Sequence, residues 1–122
     1  MYKIGISLLM KDTSILDLVK AYFASWNSHD IQELRNLFAS NISLQDWDTH
    51  SINIENVLQS NESIFNNHPN IKAEILNLNF LTEVKVVAQL KVFIDDKNMI
   101  DVVDIITFDE RRKITNIKAY KC

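Results

Sequence analysis

At Pro69 the hydrophobic pattern of this chain changes period. Before it, apolar residues recur at helical spacing; after it, they alternate. A chain ordered this way has amphipathic helices in one half and half-buried strands in the other. Each kind has one apolar face to bury, so the helices must stack on the sheet. The expected class is therefore α+β, built as one domain over residues 1–122. A chain of 122 residues with 47% apolar content suffices for a single core.

Ile15, Leu16, Val19, Tyr22, Phe23 and Trp26 mark a first helix, with Thr13 or Ser14 as its cap. Asn27-Ser28-His29 breaks the pattern. A second helix starts at Asp30, with Glu33 three residues on in a capping-box arrangement, and buries Ile31, Leu34, Leu37 and Phe38. Residues 41–47 read as a short strand with Ile42 and Leu44 on one face, and 48–53 as polar loop. Ile54, Val57, Leu58, Ile64 and Phe65 mark a third helix, ended by Asn66-Asn67-His68-Pro69. Four strand-like runs follow at 71–83, 84–95, 100–108 and 114–120, with hairpin turns at 95–98 and 109–112. An antiparallel sheet curling over its own helices leaves a cavity between the layers, a natural place for a small molecule.

Several function classes have no support in the sequence. The net charge is -3 with acids and bases mixed, and no basic run offers an electrostatic footprint for nucleic acid. No apolar run approaches the roughly 20 residues of a membrane-spanning helix. Residues 1–12 form an extension whose apolar patch, 4–10, reads as a leading strand or helix extension; no small-residue cleavage site follows it. The one cysteine, Cys122, allows no disulfide within the chain, so a reducing, cytoplasmic setting is expected. With one glycine and one proline there is no Gly-rich phosphate loop, and no cofactor is expected.

Three polar groups stand where the pattern calls for apolar ones. Tyr22 lies within the stripe of the first helix. Asp46 follows Leu44 by two and shares its strand face. Asp104 shares a face with Val102, Ile106 and Phe108. A core tyrosine with one hydrogen-bond partner is the plain reading of Tyr22, and a strand-end residue in water is that of Asp46. Asp104 sits mid-strand, where desolvation raises a carboxyl's pKa. Asp46, Asp48 and His50 alternate in the manner of metal ligands, but the segment is turning into loop and no fourth ligand follows, so no metal is expected. His29 reads as a solvent-facing residue at a helix start, and His68 as a helix-end residue complementing the dipole.

The stretch Ala21-Tyr22-Phe23-Ala24-Ser25-Trp26-Asn27-Ser28-His29-Asp30, with Leu37-Phe38-Ala39, resembles the opening helices of the ketosteroid-isomerase and SnoaL-like polyketide-cyclase families, members of the nuclear transport factor 2-like superfamily. Asp104-Ile105-Ile106-Thr107-Phe108-Asp109 and 113–120 are similar to that superfamily's last two strands. The resemblance spans Ser14 to the C-terminus; 51–81 shows no specific match. It implies three N-terminal helices packed on a curved, mostly antiparallel sheet enclosing a pocket, the cystatin-like cone. Set against bacterial ketosteroid isomerases, Tyr22 falls on the helix tyrosine, Asp46 on the proton-shuttling aspartate, and Asp104 on the aspartate that stays protonated and donates a hydrogen bond. Val19, Phe23, Trp26, Trp47, Ile106, Phe108 and Ile117 are the expected lining. The implied function is isomerase or cyclase chemistry: proton transfer next to the carbonyl of a small apolar ligand, by a carboxylate base with hydrogen-bonded oxyanion stabilisation. The alternative is a non-catalytic ligand-binding or dimerisation domain of the same fold. Arg35 on a helix and Arg111 and Arg112 in a turn argue against the Asp-Arg-Asp site of limonene-epoxide-hydrolase relatives. Apolar residues on both faces of the last strands, such as Val103, Ile105, Ile117 and Tyr120, imply a homodimer through the outer face.

Overall fold

The computed structural model describes the backbone of residues 2–122 and the side chains from Ile15 onward. The first helix, α1, spans Tyr2–Asn27. Thr13 and Ser14 therefore stand within the helix and not at its start; their side chains, like those of the 1–12 extension, lie outside the described residues. Helix α2 (Ile31–Leu37) begins at Asp30, whose carboxylate accepts from the Glu33 amide at 3.1 Å. Only that half of the capping box forms, because the Asp30 amide donates to the Ser25 carbonyl of α1 at 3.0 Å. Phe38, expected on the buried stripe of α2, is extended backbone and opens strand β1 (Phe38–Gln45), still buried.

The expected loop at 48–53 holds a short strand, β2 (His50–Ile52). It pairs antiparallel with β1, placing Leu44 opposite Ser51. Asp46 makes the hairpin: its Oδ1 accepts from the amides of Asp48 (2.8 Å) and Thr49 (2.6 Å), and its own amide donates to the Thr49 carbonyl at 2.9 Å. Helix α3 (Ile54–Asn67) is capped by Asn53, at φ 70°, whose side chain accepts from the Asn56 amide.

After Pro69 come β3 (Lys72–Thr82), β4 (Lys85–Phe93), β5 (Met99–Phe108) and β6 (Ile114–Lys121). The two expected turns form around Asp95 and Asp109, whose side chains accept from the amides of Lys97 and Asn98, and of Arg111 and Lys113. The six strands are ordered β2-β1-β6-β5-β4-β3, all antiparallel neighbours except β1 and β6, which run parallel. The sheet is thus mixed, and its parallel pair joins the helical half of the sequence to the last strand.

One hydrophobic cluster unites residues of all three helices with the inner face of the sheet: Val19 and Phe23 of α1, Leu34 of α2, Val57 of α3, Ile106 of β5 and Ile117 of β6 among them. Burying each such side chain contributes about 1.5–3 kcal/mol. Asn27, at the end of α1, is bonded like a strand partner to Ala73 of β3: Nδ2 donates to its carbonyl at 2.9 Å and Oδ1 accepts from its amide at 2.7 Å. No helix among the described residues is long and apolar enough to cross a membrane.

Candidate functional site

Along β5 burial alternates strictly, so Val102, Asp104, Ile106 and Phe108 all face inward. The neighbours of Asp104 across the sheet are Ala88 on β4 and Ala119 on β6. On the β6 side, the Ala119 methyl beside a short carboxylate leaves the inner face hollow at this point, whereas Ala88 lies in the solid core. The helices cannot fill the hollow, and a cavity of about 360 Å³ remains. Most of its wall is apolar, including Phe23, Ile64, Leu90, Val92, Val102 and Ile117.

Tyr22, Asp46 and Asp104 all line this cavity. Tyr22 is 4% exposed and Asp104 6% exposed. The Tyr22 ring packs edge-on against Phe23, with centroids 4.8 Å apart, and tilted against Phe38 at 6.0 Å. Neither the Tyr22 hydroxyl nor the Asp104 carboxyl has a protein hydrogen-bond partner among the described residues, and no polar atom there is fully sealed from solvent without one. Both groups therefore keep an opening toward the cavity.

Their electrostatics follow from that burial. Desolvation, with the charge of Asp46 second, pushes the Asp104 carboxyl up to about 7. Desolvation, with the charge of Asp104 second, holds the Tyr22 hydroxyl well above the ordinary phenol range. Near neutral pH the pocket thus carries a neutral phenol and a carboxyl that is substantially protonated. Both can donate a hydrogen bond without placing a cation in the site. Asp46 differs from them. It is half-buried at the rim, with Oδ1 held by the turn amides, while Oδ2 has no partner among the described residues.

Of the expected lining, Phe23, Trp26, Trp47 and Ile117 are on the wall, Trp47 being 44% exposed at the rim with Lys121 over its ring. Val19, Ile106 and Phe108 are not on it; they lie in the solid core. A two-residue period tells which face a side chain takes, but not where along the strand the helices close upon it. Asp46 and His50 face different hollows. Among the described residues no three His, Cys, Asp or Glu side chains converge on one point as metal ligands. Arg35 is engaged with Glu55, at 2.6 and 3.0 Å. His29 is not solvent-facing: its ring stacks on Phe65, centroids 4.2 Å apart, and Nε2 lies 2.9 Å from the Ile71 carbonyl. The left-handed backbone of the turn, φ 55° at His29, is what folds it back over α3. His68 caps the end of α3 and reaches the cavity wall.

One lining residue escapes a reading of the apolar pattern alone. Asn61 is 3% exposed, accepts from Trp26 Nε1 at 3.1 Å and donates to the Val57 carbonyl at 2.9 Å. Its signal is positional: it stands four residues after Val57 and four before Phe65, on the buried stripe of α3.

Solved structures with this architecture are numerous. A SnoaL-like family protein from Agrobacterium tumefaciens, proposed to be an isomerase, aligns over 90% of this chain and 98% of its own at 13% identity, with a TM-score of 0.77. A proposed ketosteroid isomerase from Kribbella flavida aligns over 87% and 76% at 11% identity, with a TM-score of 0.74. A nuclear transport factor 2-like protein of unknown function from Cytophaga hutchinsonii aligns over 88% and 89% at 14% identity, with a TM-score of 0.75. Identities this low establish a shared fold. No protein-family model matches the chain, and no curated protein matches it significantly.

Proposed function

We propose that this chain is a small-molecule enzyme of the ketosteroid-isomerase and SnoaL-like kind, moving a proton next to the carbonyl of a small, largely apolar ligand in a pocket between helices and sheet. The observation that carries the reading is the placement of Tyr22, Asp104 and Asp46 on one cavity whose wall is otherwise mostly apolar. The proposed relatives among the solved structures share the fold and agree with it.

In this reading the carbonyl oxygen lies against the Tyr22 hydroxyl and the protonated Asp104 carboxyl. The α-carbon lies toward Asp46. Asp46 Oδ2 takes the α-proton as the C–H electron pair moves into a carbon–carbon double bond and the carbonyl pair moves onto oxygen. The two donors stabilise the resulting enolate, and the proton returns to carbon at the same or a conjugated position. The turn amides on Oδ1 hold the carboxylate in place and leave its other oxygen for the proton.

A competing reading as a non-catalytic pocket binder is favoured by those same two hydrogen bonds, which are the work of a structural turn residue. A panel of β,γ-unsaturated ketones separates the two. The enzyme reading expects isomerisation of at least one ketone, nearly abolished by Asp46→Asn with affinity kept, since a base acts in the transition state. Tyr22→Phe should cost less, about 10²–10³ in rate. Binding without turnover throughout the panel would leave only the binder.

A further inference from the structure

The polar groups on the cavity wall fall into two sets. Asp46, Asp48, Thr49, His68 and Lys121 are exposed or half-exposed at the rim. Tyr22, Asp104 and Asn61 are buried. The proposed chemistry uses the first two of these and leaves Asn61 without a task.

The Asn61 amide is oriented without ambiguity. Trp26 Nε1 can only donate and the Val57 carbonyl can only accept, so Oδ1 faces the indole and Nδ2 faces the backbone. Nδ2 carries two N–H groups. One goes to Val57; the other has no partner among the described residues. A fixed, buried donor on the wall of an apolar cavity favours whatever ligand brings an acceptor to it. Asn61 also hangs from α3, on the helix side of the cavity, whereas Asp104 rises from the sheet.

We propose that Asn61 is a specificity-determining residue that receives a second oxygen of the ligand, so that the pocket selects dioxygenated apolar compounds over simple ketones. The acceptor is a second carbonyl or ether oxygen, apart from the one that meets Tyr22 and Asp104, because Asn61 hangs from α3 while those two donors stand on α1 and β5. The inference rests on the proton-transfer reading only for which oxygen meets Tyr22 and Asp104.

The test is calorimetric binding of a bicyclic dione and of the monoketone in which the second carbonyl is a methylene. The wild-type protein should bind the dione about tenfold tighter, the ratio expected when a buried donor gains or lacks its acceptor. Asn61→Leu should erase that ratio while keeping affinity for the monoketone. Trp26→Phe, which frees Oδ1 and lets the amide turn, should shrink the ratio and serves where Asn61→Leu does not fold. Equal binding of both ligands by the wild type, or a dione preference that survives Asn61→Leu, overturns the role of Asn61. Deuterium exchange of the same two ligands separates the readings. A dione preference without exchange upholds Asn61 and removes the enzyme. Exchange without a preference does the opposite.

Discussion

Replacing Asp104 with asparagine should make the protein more stable at high pH and change it little at low pH. Burial raises the carboxyl from 3.8 to about 7 in the folded protein. In the unfolded chain it returns to the ordinary value. Below 3.8 both states hold the proton, and the favourable term of burying a neutral carboxyl is fully present. As pH rises toward 7 the unfolded state ionises first, so stability falls across that window. Above 7 both states are ionised and the loss is complete. A rise from 3.8 to about 7, at about 1.4 kcal/mol per tenfold change in proton affinity, gives a loss on the order of 4 kcal/mol. That is a large share of the roughly 5–15 kcal/mol that holds such a domain together. Asparagine has nearly the same shape and no charge to desolvate, so its stability should not follow this curve. The assay is urea unfolding of both proteins at closely spaced pH values from 4 to 9. The gap between them should open through the window from about 4 to 7 and then stay constant. In Asp46→Asn the wild-type loss should persist in reduced form, since the neighbouring charge is the second cause and desolvation the first. Parallel curves for wild type and Asp104→Asn, or an NMR titration placing the Asp104 carboxyl in the ordinary range, would refute the argument.

Two further outcomes follow from the packing. Val103 and Ile105 are half-buried and Tyr120 half-exposed on the outer face of the sheet; light scattering at micromolar concentration should return a dimer mass, and Ile105→Lys a monomer, whereas a wild-type monomer would count against the outer face as an interface. Asn27→Ala removes both hydrogen bonds that tie α1 to the backbone of Ala73 and should destabilise by about 1–3 kcal/mol in urea unfolding, because two part-buried backbone groups lose their partners.

Much of the architecture was legible because it rests on periods. The alternation through Val102, Asp104, Ile106 and Phe108 fixed the inward face of β5, and the helical stripe placed Tyr22 and Phe23 on the core side of α1. What escaped depended on pairing and depth. Strand β2 is three residues long with two of its side chains exposed, so it has no period to read; the Asp46 turn and the edge of β1 create it. The parallel pairing of β1 with β6 joins residues about 70 positions apart, beyond the reach of any local pattern. The same limit applies at the site. The sequence gives Ile106 and Phe108 the same face as Asp104, but only the packed helices show that the hollow stops short of them. Asn61 was passed over because a polar residue adds nothing to an apolar stripe, and its meaning lies in Trp26, 35 positions away.

In the proposed chemistry Asp46 removes a proton from a carbon whose carbonyl is held by Tyr22 and Asp104. That step is tested most directly by ¹H NMR of α-deuterium incorporation into a bound bicyclic ketone in D₂O, with wild type and Asp46→Asn compared at equal occupancy. Exchange should run well above the buffer rate in the wild type and near the buffer rate in the variant. Exchange no faster than buffer in the wild type, with binding demonstrated in the same tube, would contradict it.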